Sequence, residues 1–251
     1  MKHVRTQSGI SLTGISCALL VATAFMSCKK NNDPDPRPVV VKNAGIQIVH
    51  TAPKVGDLTV EIDGKKLQDK LPFLNPSKGY MNLPFRNESI LKFAQDGNKV
   101  IVDTKYQFND KSTYSLFLYD TLNNNKVRAV LLNDNPADPG KGKTSLRFLH
   151  LSPNTTAVDI DVFKGSDSIR LVNNAAYISD KPDVAVLSPF KPIASGDYRV
   201  KVKTKAGTTI TTVLDIPSVK LVEGKVVTLY LSGLTKASGA LGVGLQLWQH
   251  R

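Results

Sequence analysis

The 251-residue chain predicts an all-β fold: two tandem antiparallel β-sandwich domains behind a signal peptide and a disordered tether. Three observations carry this reading. Apolar residues alternate with polar ones in short runs broken by Gly, Pro, Asn and Asp, the period-two pattern of half-buried strands. A motif from the first half returns in the second. The chain also opens on a segment that has the marks of a leader rather than of a folded element.

The leader comes first in the chain. A short basic start (Lys2, His3, Arg5) precedes an uncharged stretch from Thr6 to Ser27, and Ala24-Phe25-Met26-Ser27-Cys28 closes it. Charged start, apolar middle and a small residue at the cut define a secretory signal. A cysteine directly after the small residue is the mark of a bacterial lipoprotein, so Cys28 is the expected lipidation site and residues 1–27 the signal peptide. The apolar run Cys17–Met26 is shorter than the roughly 20 residues a spanning helix needs. Cys17, the other candidate acceptor, has too little apolar chain ahead of it and falls inside the leader. Two acyl chains give stable anchoring where one is marginal. Residues 28–43 carry Asn31, Asn32, Asp33, Pro34, Asp35, Pro36 and Pro38, a polar, proline-rich composition that reads as a flexible tether. The run Ser27-Cys28-Lys29-Lys30, followed by Asn and Asp, resembles lipoproteins of the Bacteroidetes. That resemblance implies a lipid-anchored outer-membrane location, in the periplasmic leaflet or on the cell surface.

Internal repetition sets the domain count. Ile46-Gln47-Ile48-Val49-His50-Thr51-Ala52-Pro53 aligns with Leu146-Arg147-Phe148-Leu149-His150-Leu151-Ser152-Pro153 without a gap. In the same register, Leu58–Ile62 aligns with Val158–Val162. Tyr114–Leu118 resembles Val227–Leu231. A repeat this long indicates duplicated domains rather than a solenoid, whose units are shorter. Asp134–Gly142 is dense in turn-formers and nearly free of apolar residues, as linkers are. Domain one therefore spans 44–133, the linker 134–142 and domain two 143–251.

Strands are predicted at 45–51, 58–63, 78–83, 89–94, 99–104, 113–119 and 127–132, then at 145–151, 158–163, 184–188, 197–204, 208–214, 225–231 and 239–248. About seven short strands per domain with turn signals between them indicate a sandwich. A three-residue turn at Lys205-Ala206-Gly207 fits a hairpin. Segment 171–182 fits either one helical turn or an irregular loop.

The formal charge of +12 falls by two once Lys2 and Arg5 leave with the leader. The remaining basic residues are spread along the chain, and no nucleic-acid motif accompanies them, so no nucleic-acid partner is expected. The densest cluster is Arg199, Lys201, Lys203 and Lys205, which period-two spacing puts on one strand face. A solvated outer face that discourages edge aggregation explains it most simply. An anion-binding stripe, for lipopolysaccharide or an acidic glycan, is the alternative.

Three stretches together resemble the DUF4397 family, a domain of unknown function. The first is the apolar-x-apolar-apolar-His-x-Ser/Ala-Pro opening followed by Ala157–Val162, whose ending appears in the first copy as Val60-Glu61-Ile62-Asp63-Gly64. The second is Ile193–Val202, and the third is Gly224–Leu229. The first copy departs from the family pattern at Pro84–Ser89. The resemblance covers most of the chain after the leader, in two copies. It implies an immunoglobulin-like sandwich on secreted or lipid-anchored proteins and assigns no activity.

Residue chemistry points the same way. His50 and His150 sit three residues before a proline, each without a local partner for a metal site, and strand-end imidazoles bonding the next turn account for both. Asp159 and Asp161 share a strand face opposite Val158, Ile160 and Val162, so they face water. No nucleophile elbow, phosphate loop, His-Glu-x-x-His or Cys-x-x-Cys occurs. No catalytic residue, metal ligand or cofactor is therefore expected. Trp248, the one tryptophan, alternates with Leu245 and Leu247, and either presents an open indole to a glycan or is buried under the linker. The expected function is a non-catalytic envelope lipoprotein that presents two modules to a protein or glycan partner. Arg199, Lys201, Lys203, Lys205 and Trp248 are the candidate ligand contacts. The rival expectations are a hydrolase with an unrecognised site and a spacer or accessory subunit of a surface complex.

Overall fold

The structure is a computed structural model that describes residues 43–84, 88–95, 99–123, 126–178 and 180–250. The signal peptide, Cys28 and the tether up to residue 42 lie outside the described residues. The first half contributes β1 (Asn43–His50), β2 (Leu58–Ile62), β3 (Lys65–Leu71), β4 (Met81–Pro84), β5 (Ser89–Gln95), β6 (Lys99–Tyr106), β7 (Thr113–Asn123) and β8 (Lys126–Asn133). The second contributes β9 (Lys143–His150), β10 (Val158–Lys164), β11 (Asp167–Ala175), α1 (Val184–Leu187), β12 (Lys191–Ala194), β13 (Gly196–Ala206), β14 (Thr209–Leu221), β15 (Val226–Ser232) and β16 (Gly244–Gln249).

These strands form four sheets of four: β4-β1-β7-β8, β3-β2-β5-β6, β12-β9-β15-β16 and β11-β10-β13-β14. We call them the inner and outer sheets of the first half, then the inner and outer sheets of the second. The second half repeats the order of the first strand for strand. Pairing is antiparallel except at β1–β7 and β9–β15, which run parallel. The antiparallel expectation is corrected at those two places. A parallel pair needs a long crossover, and here the chain visits the opposite sheet between its two members.

Each sandwich closes on its own core. Ile46, Ile48, Leu116 and Leu118 of the first inner sheet meet Val60, Leu91 and Phe93 of the outer one. In the second half Leu146, Val227 and Leu231 meet Ile160, Val200 and Val202. A third core lies between the two inner sheets. Val49, Phe117, Tyr119 and Leu132 pack there against Leu149, Leu151, Tyr230 and Trp248. The Phe117 and Tyr230 rings meet edge to face at 5.7 Å. The four sheets are therefore layered outer–inner–inner–outer. β1 alternates between two buried faces, with Ile46 and Ile48 on one and Gln47 and Val49 on the other, so it is buried from Ala44 to His50. Equivalent positions of the repeat face each other across this plane: Val49 with Leu149, Phe117 with Tyr230, Leu132 with Trp248.

Some predicted elements change. Val184–Leu187 is a single helical turn rather than a strand, because the Asp183 side chain accepts a hydrogen bond from the Ala185 N–H at 3.0 Å and caps it. The ambiguous segment from Leu171 stays in β11 as far as Ala175. The β13–β14 turn is two residues, since Ala206 pairs with Thr209, and Gly207 takes the φ of 60° such a turn requires. β3, β11 and β12 were not anticipated. All three are edge strands, and their charged (β3), polar (β11) or Pro-containing (β12) sequences are what edges tolerate.

Candidate functional site

Three places gather polar side chains. The first is the pair of strand-end histidines. The Ala52 N–H donates to His50 Nδ1 at 3.4 Å, so Nε2 carries the ring proton and donates to the Gly56 carbonyl at 2.8 Å. His150 does the same with the Ser152 N–H and the Thr156 carbonyl, at 3.4 and 3.1 Å. Each ring also meets an aromatic edge to face, Phe73 or Tyr177. Both imidazoles are buried, and desolvation holds their pKa below the usual histidine value against the opposing pull of the backbone acceptor. Both ring nitrogens are committed to backbone, so these histidines pin the loops 51–57 and 151–157.

The second place is a polar cluster inside the plane between the inner sheets. Arg147 on β9 donates from Nη2 to Asp134 Oδ1 at 2.8 Å, from Nε to Thr228 Oγ1 at 3.0 Å and from Nη1 to the Asn133 carbonyl at 3.1 Å. Tyr80 donates to Asp134 Oδ2 at 2.9 Å, and Ser115 donates to the same oxygen. His250 places Nε2 2.7 Å from Thr228 Oγ1 and Nδ1 3.0 Å from the Tyr80 hydroxyl. The Arg147 guanidinium lies 4.4 Å over the Phe190 ring. Burial pushes Asp134 up, but the neighbouring His250 imidazole, the charge of Arg147 and the bond from Ser115 outweigh it and hold the carboxyl below its usual range. The repeat again supplies matched positions: Gln47 and Arg147, Ser115 and Thr228, Asp134 and His250.

Hydroxyl, imidazole and carboxylate are the ingredients of nucleophilic catalysis, and the packing argues against that use. Ser115 and Thr228 have no solvent exposure. Ser115 bonds the carboxylate directly, and His250 Nδ1 is 3.6 Å from Asp134 Oδ2. A cavity of about 500 Å³ lies alongside, walled by Lys111, linker residues 134–139, Gly224, Val226 and His250. Asp134 and His250 belong to both the cavity wall and the cluster, yet their side chains are only 0 and 1 % exposed. Among the described residues no group of three His, Cys, Asp or Glu could hold a metal ion, and no helix is long and apolar enough to cross a membrane.

The third place is the outer face of the second outer sheet. The predicted row of Arg199, Lys201, Lys203 and Lys205 stands on β13, with Tyr198, Val200 and Val202 turned into the core. Arg199 grips Asp215 with two hydrogen bonds of 2.7 Å, and Lys201 reaches the same carboxylate at 3.6 Å. Asp161 on β10 accepts from Lys203 at 2.8 Å and from Arg170, which also donates to Asp159 at 2.8 Å. Asp159 and Asp161 thus lie on the outer face and each has a cation, but only Asp159 keeps partial exposure; Asp161 is buried against its Lys203 and Arg170 partners rather than facing water. Burial raises Asp161, but Lys203 and Arg170 pull it below its usual range; the bond from Arg199 lowers Asp215.

Trp248 does not join the row. Its residue is 6 % exposed and packs in the third core, so it offers no open platform. The alternation along β16 is as read, with Leu245 in the second core and Trp248 opposite. The first sandwich, not the linker, covers the indole. Its N–H finds no hydrogen-bond partner there. Arg147, Asp134, Thr228 and Ser115 were missed as a group. Their only sequence signal is a charged residue inside an apolar strand, Leu146-Arg147-Phe148, and that position points to water unless a second sandwich covers it.

The architecture defines the class: an all-β protein of two sandwiches joined through their inner sheets. Residues 44–161 match the family described as "Domain of unknown function (DUF4397)". The match covers the first sandwich, the linker and the start of the second. Comparison with curated proteins gives no match.

Proposed function

We propose that the protein is a non-catalytic cell-envelope lipoprotein, anchored through Cys28, with two copies of the family domain fused into one rigid body that presents its outer faces and loops to a protein or glycan partner. The observation that carries the reading is the third core. It uses up the inner faces of both sandwiches and buries the cluster with catalytic ingredients, leaving outer faces and loop ends for recognition. The second copy is supported by the strand-for-strand repeat of sheet order and by the matched histidine clamps. The anchor is supported by the leader pattern and the small residue before Cys28. Fusion changes how the duplication acts. Avidity from two modules demands that both engage at once, and a fixed body achieves this only on a partner whose spacing matches its own.

Metabolic labelling with an alkyne fatty acid tests the anchor: the chain takes up label and Cys28→Ala abolishes it. A glycan array and a pull-down with the detergent-solubilised protein test the binding reading. Failure to retain any glycan or envelope protein on both would remove it.

A further inference from the structure

The cation row on β13 has an internal control. Both halves share one frame, in which β5 of the first occupies the place of β13 in the second. Ile62 pairs with Leu91, and the repeat-equivalent Val162 pairs with Val200. The positions matching Arg199, Lys201 and Lys203 are therefore Ile90, Lys92 and Ala94. The fold accepts an apolar residue at two of the three, so sheet formation does not require the row. Aggregation control does not require it either, because β13 is an interior strand with β10 and β14 on its two sides.

The row is also held in place. Each of Asp161 and Asp215 serves two cations and Asp159 one, so four cations (Arg170, Arg199, Lys201 and Lys203) share three carboxylates, and Lys205 extends the row. The face keeps an excess of positive charge on ordered side chains. Six residues of extended chain set Arg199 about 20 Å from Lys205, with successive cations about 7 Å apart. A shallow depression lies at each end of the row. One, of about 300 Å³, is lined by Phe163, Gly165, Asp197, Arg199, Lys201 and Pro217, so one carboxylate stands among its cations. The other, of about 400 Å³, is lined by Asp159, Arg170, Asn173, Asn174, Lys205 and Ile210. Together they form a strip with apolar floor patches, amide groups and regularly spaced positive charge.

We propose that this strip docks an acidic polysaccharide, a linear chain bearing carboxylate or sulfate groups, along β13. The row supplies the charge complement, the asparagines and Asp159 supply hydroxyl partners, and Phe163 and Ile210 offer apolar contact to sugar ring faces. The proposal deepens the binding reading above and does not depend on the lipid anchor. An exposed charge row acts through screened electrostatics, so binding weakens as salt rises.

The test is affinity gel electrophoresis of the full, detergent-solubilised chain in gels containing polygalacturonate, neutral dextran or duplex DNA. Polygalacturonate retards the unchanged protein and dextran does not. The fourfold variant R199Q/K201Q/K203Q/K205Q loses about tenfold or more in affinity, at least one charge-mediated contact's worth. The variant K66Q/K92Q/K105Q, on the outer face of the first half, stays within about twofold because it is a distant, independent site. Buried-type Trp248 emission certifies that each variant is folded. Absence of retardation, equal weakening by the two variants, or tighter retention by DNA than by polygalacturonate each overturns the assignment. A glycan or protein ligand that the fourfold variant still binds leaves the binding reading standing and removes this site from it.

Discussion

His50 and His150 each replace a missing backbone ladder at a strand end with two side-chain bonds. Removing one by His→Ala takes the imidazole donor from the Gly56 or Thr156 carbonyl, and stability falls by about 0.5–1.5 kcal/mol in urea unfolding. Their depressed pKa also gives a signed pH dependence. The unfolded chain protonates these rings near the ordinary histidine value of 6.5, while the folded chain holds them neutral to lower pH. Their contribution is complete above that value and is lost as pH falls below it. Urea midpoints measured from pH 7.5 down to 5 should therefore decline, and the decline should be shallower in the double variant H50Q/H150Q. Asp134 acts lower on the scale: its folded carboxyl stays ionised below the usual 3.8, so its share is present above that value and disappears in stronger acid. Arg147 is the critical partner. Replacing it with Met leaves the Asp134 charge buried without its guanidinium partner, with only the Tyr80 and Ser115 hydroxyls and the His250 ring beside it, and the expected cost is about 3–5 kcal/mol. The double variant R147M/D134L removes both charges and should recover much of that loss.

At the level of elements, the inner sheets differ from ordinary sandwich sheets because both of their faces are covered. β7 shows it: Leu116 and Leu118 enter the first core while Phe117 and Tyr119 enter the third. Phe117→Ala removes a ring from the third core alone and should cost about 3–5 kcal/mol. Trp248, the single tryptophan, reports on the same plane. Its emission should be blue-shifted in the folded protein and poorly quenched by acrylamide, and Phe117→Ala should raise the quenching. An indole readily quenched in the unchanged protein would contradict a closed plane. The outer edges behave in the opposite way. β3 carries charge on every exposed position and β11 is polar at five of its six, a composition that resists pairing with another chain and hides the strand from a reader of hydrophobic patterns.

For the whole molecule, the third core makes the two sandwiches one cooperative body. Unfolding followed by Trp248 emission and by far-UV circular dichroism should give coincident transitions. Two separated transitions would mean that the plane between the inner sheets opens first. The same closure shapes recognition. The proposed partner would meet a block with fixed outer faces, not two beads on a string, so the cation row on one face and the loops pinned by His50 and His150 keep constant positions relative to each other.

Much of this was legible in the residues. Period-two alternation placed most strands, because one buried face imposes one apolar residue in two. The repeat gave the domain number and the equivalence of His50 with His150, since a duplicated frame keeps its fixed points. The charge row on β13 was also legible, because alternation alone assigns its face. The polar edge strands β3 and β11 were not, as their stability comes from a neighbour's hydrogen bonds rather than from their own burial. The third core was hidden for a related reason. Gln47, Arg147, Ser115 and Thr228 look like the wet side of a strand until another sheet covers them, and Trp248 looks like a platform. Local sequence decides which face of a strand is apolar. Only the docking of the inner sheets decided that the remaining face would also be dry, and that an arginine, an aspartate and a histidine would meet there out of reach of solvent.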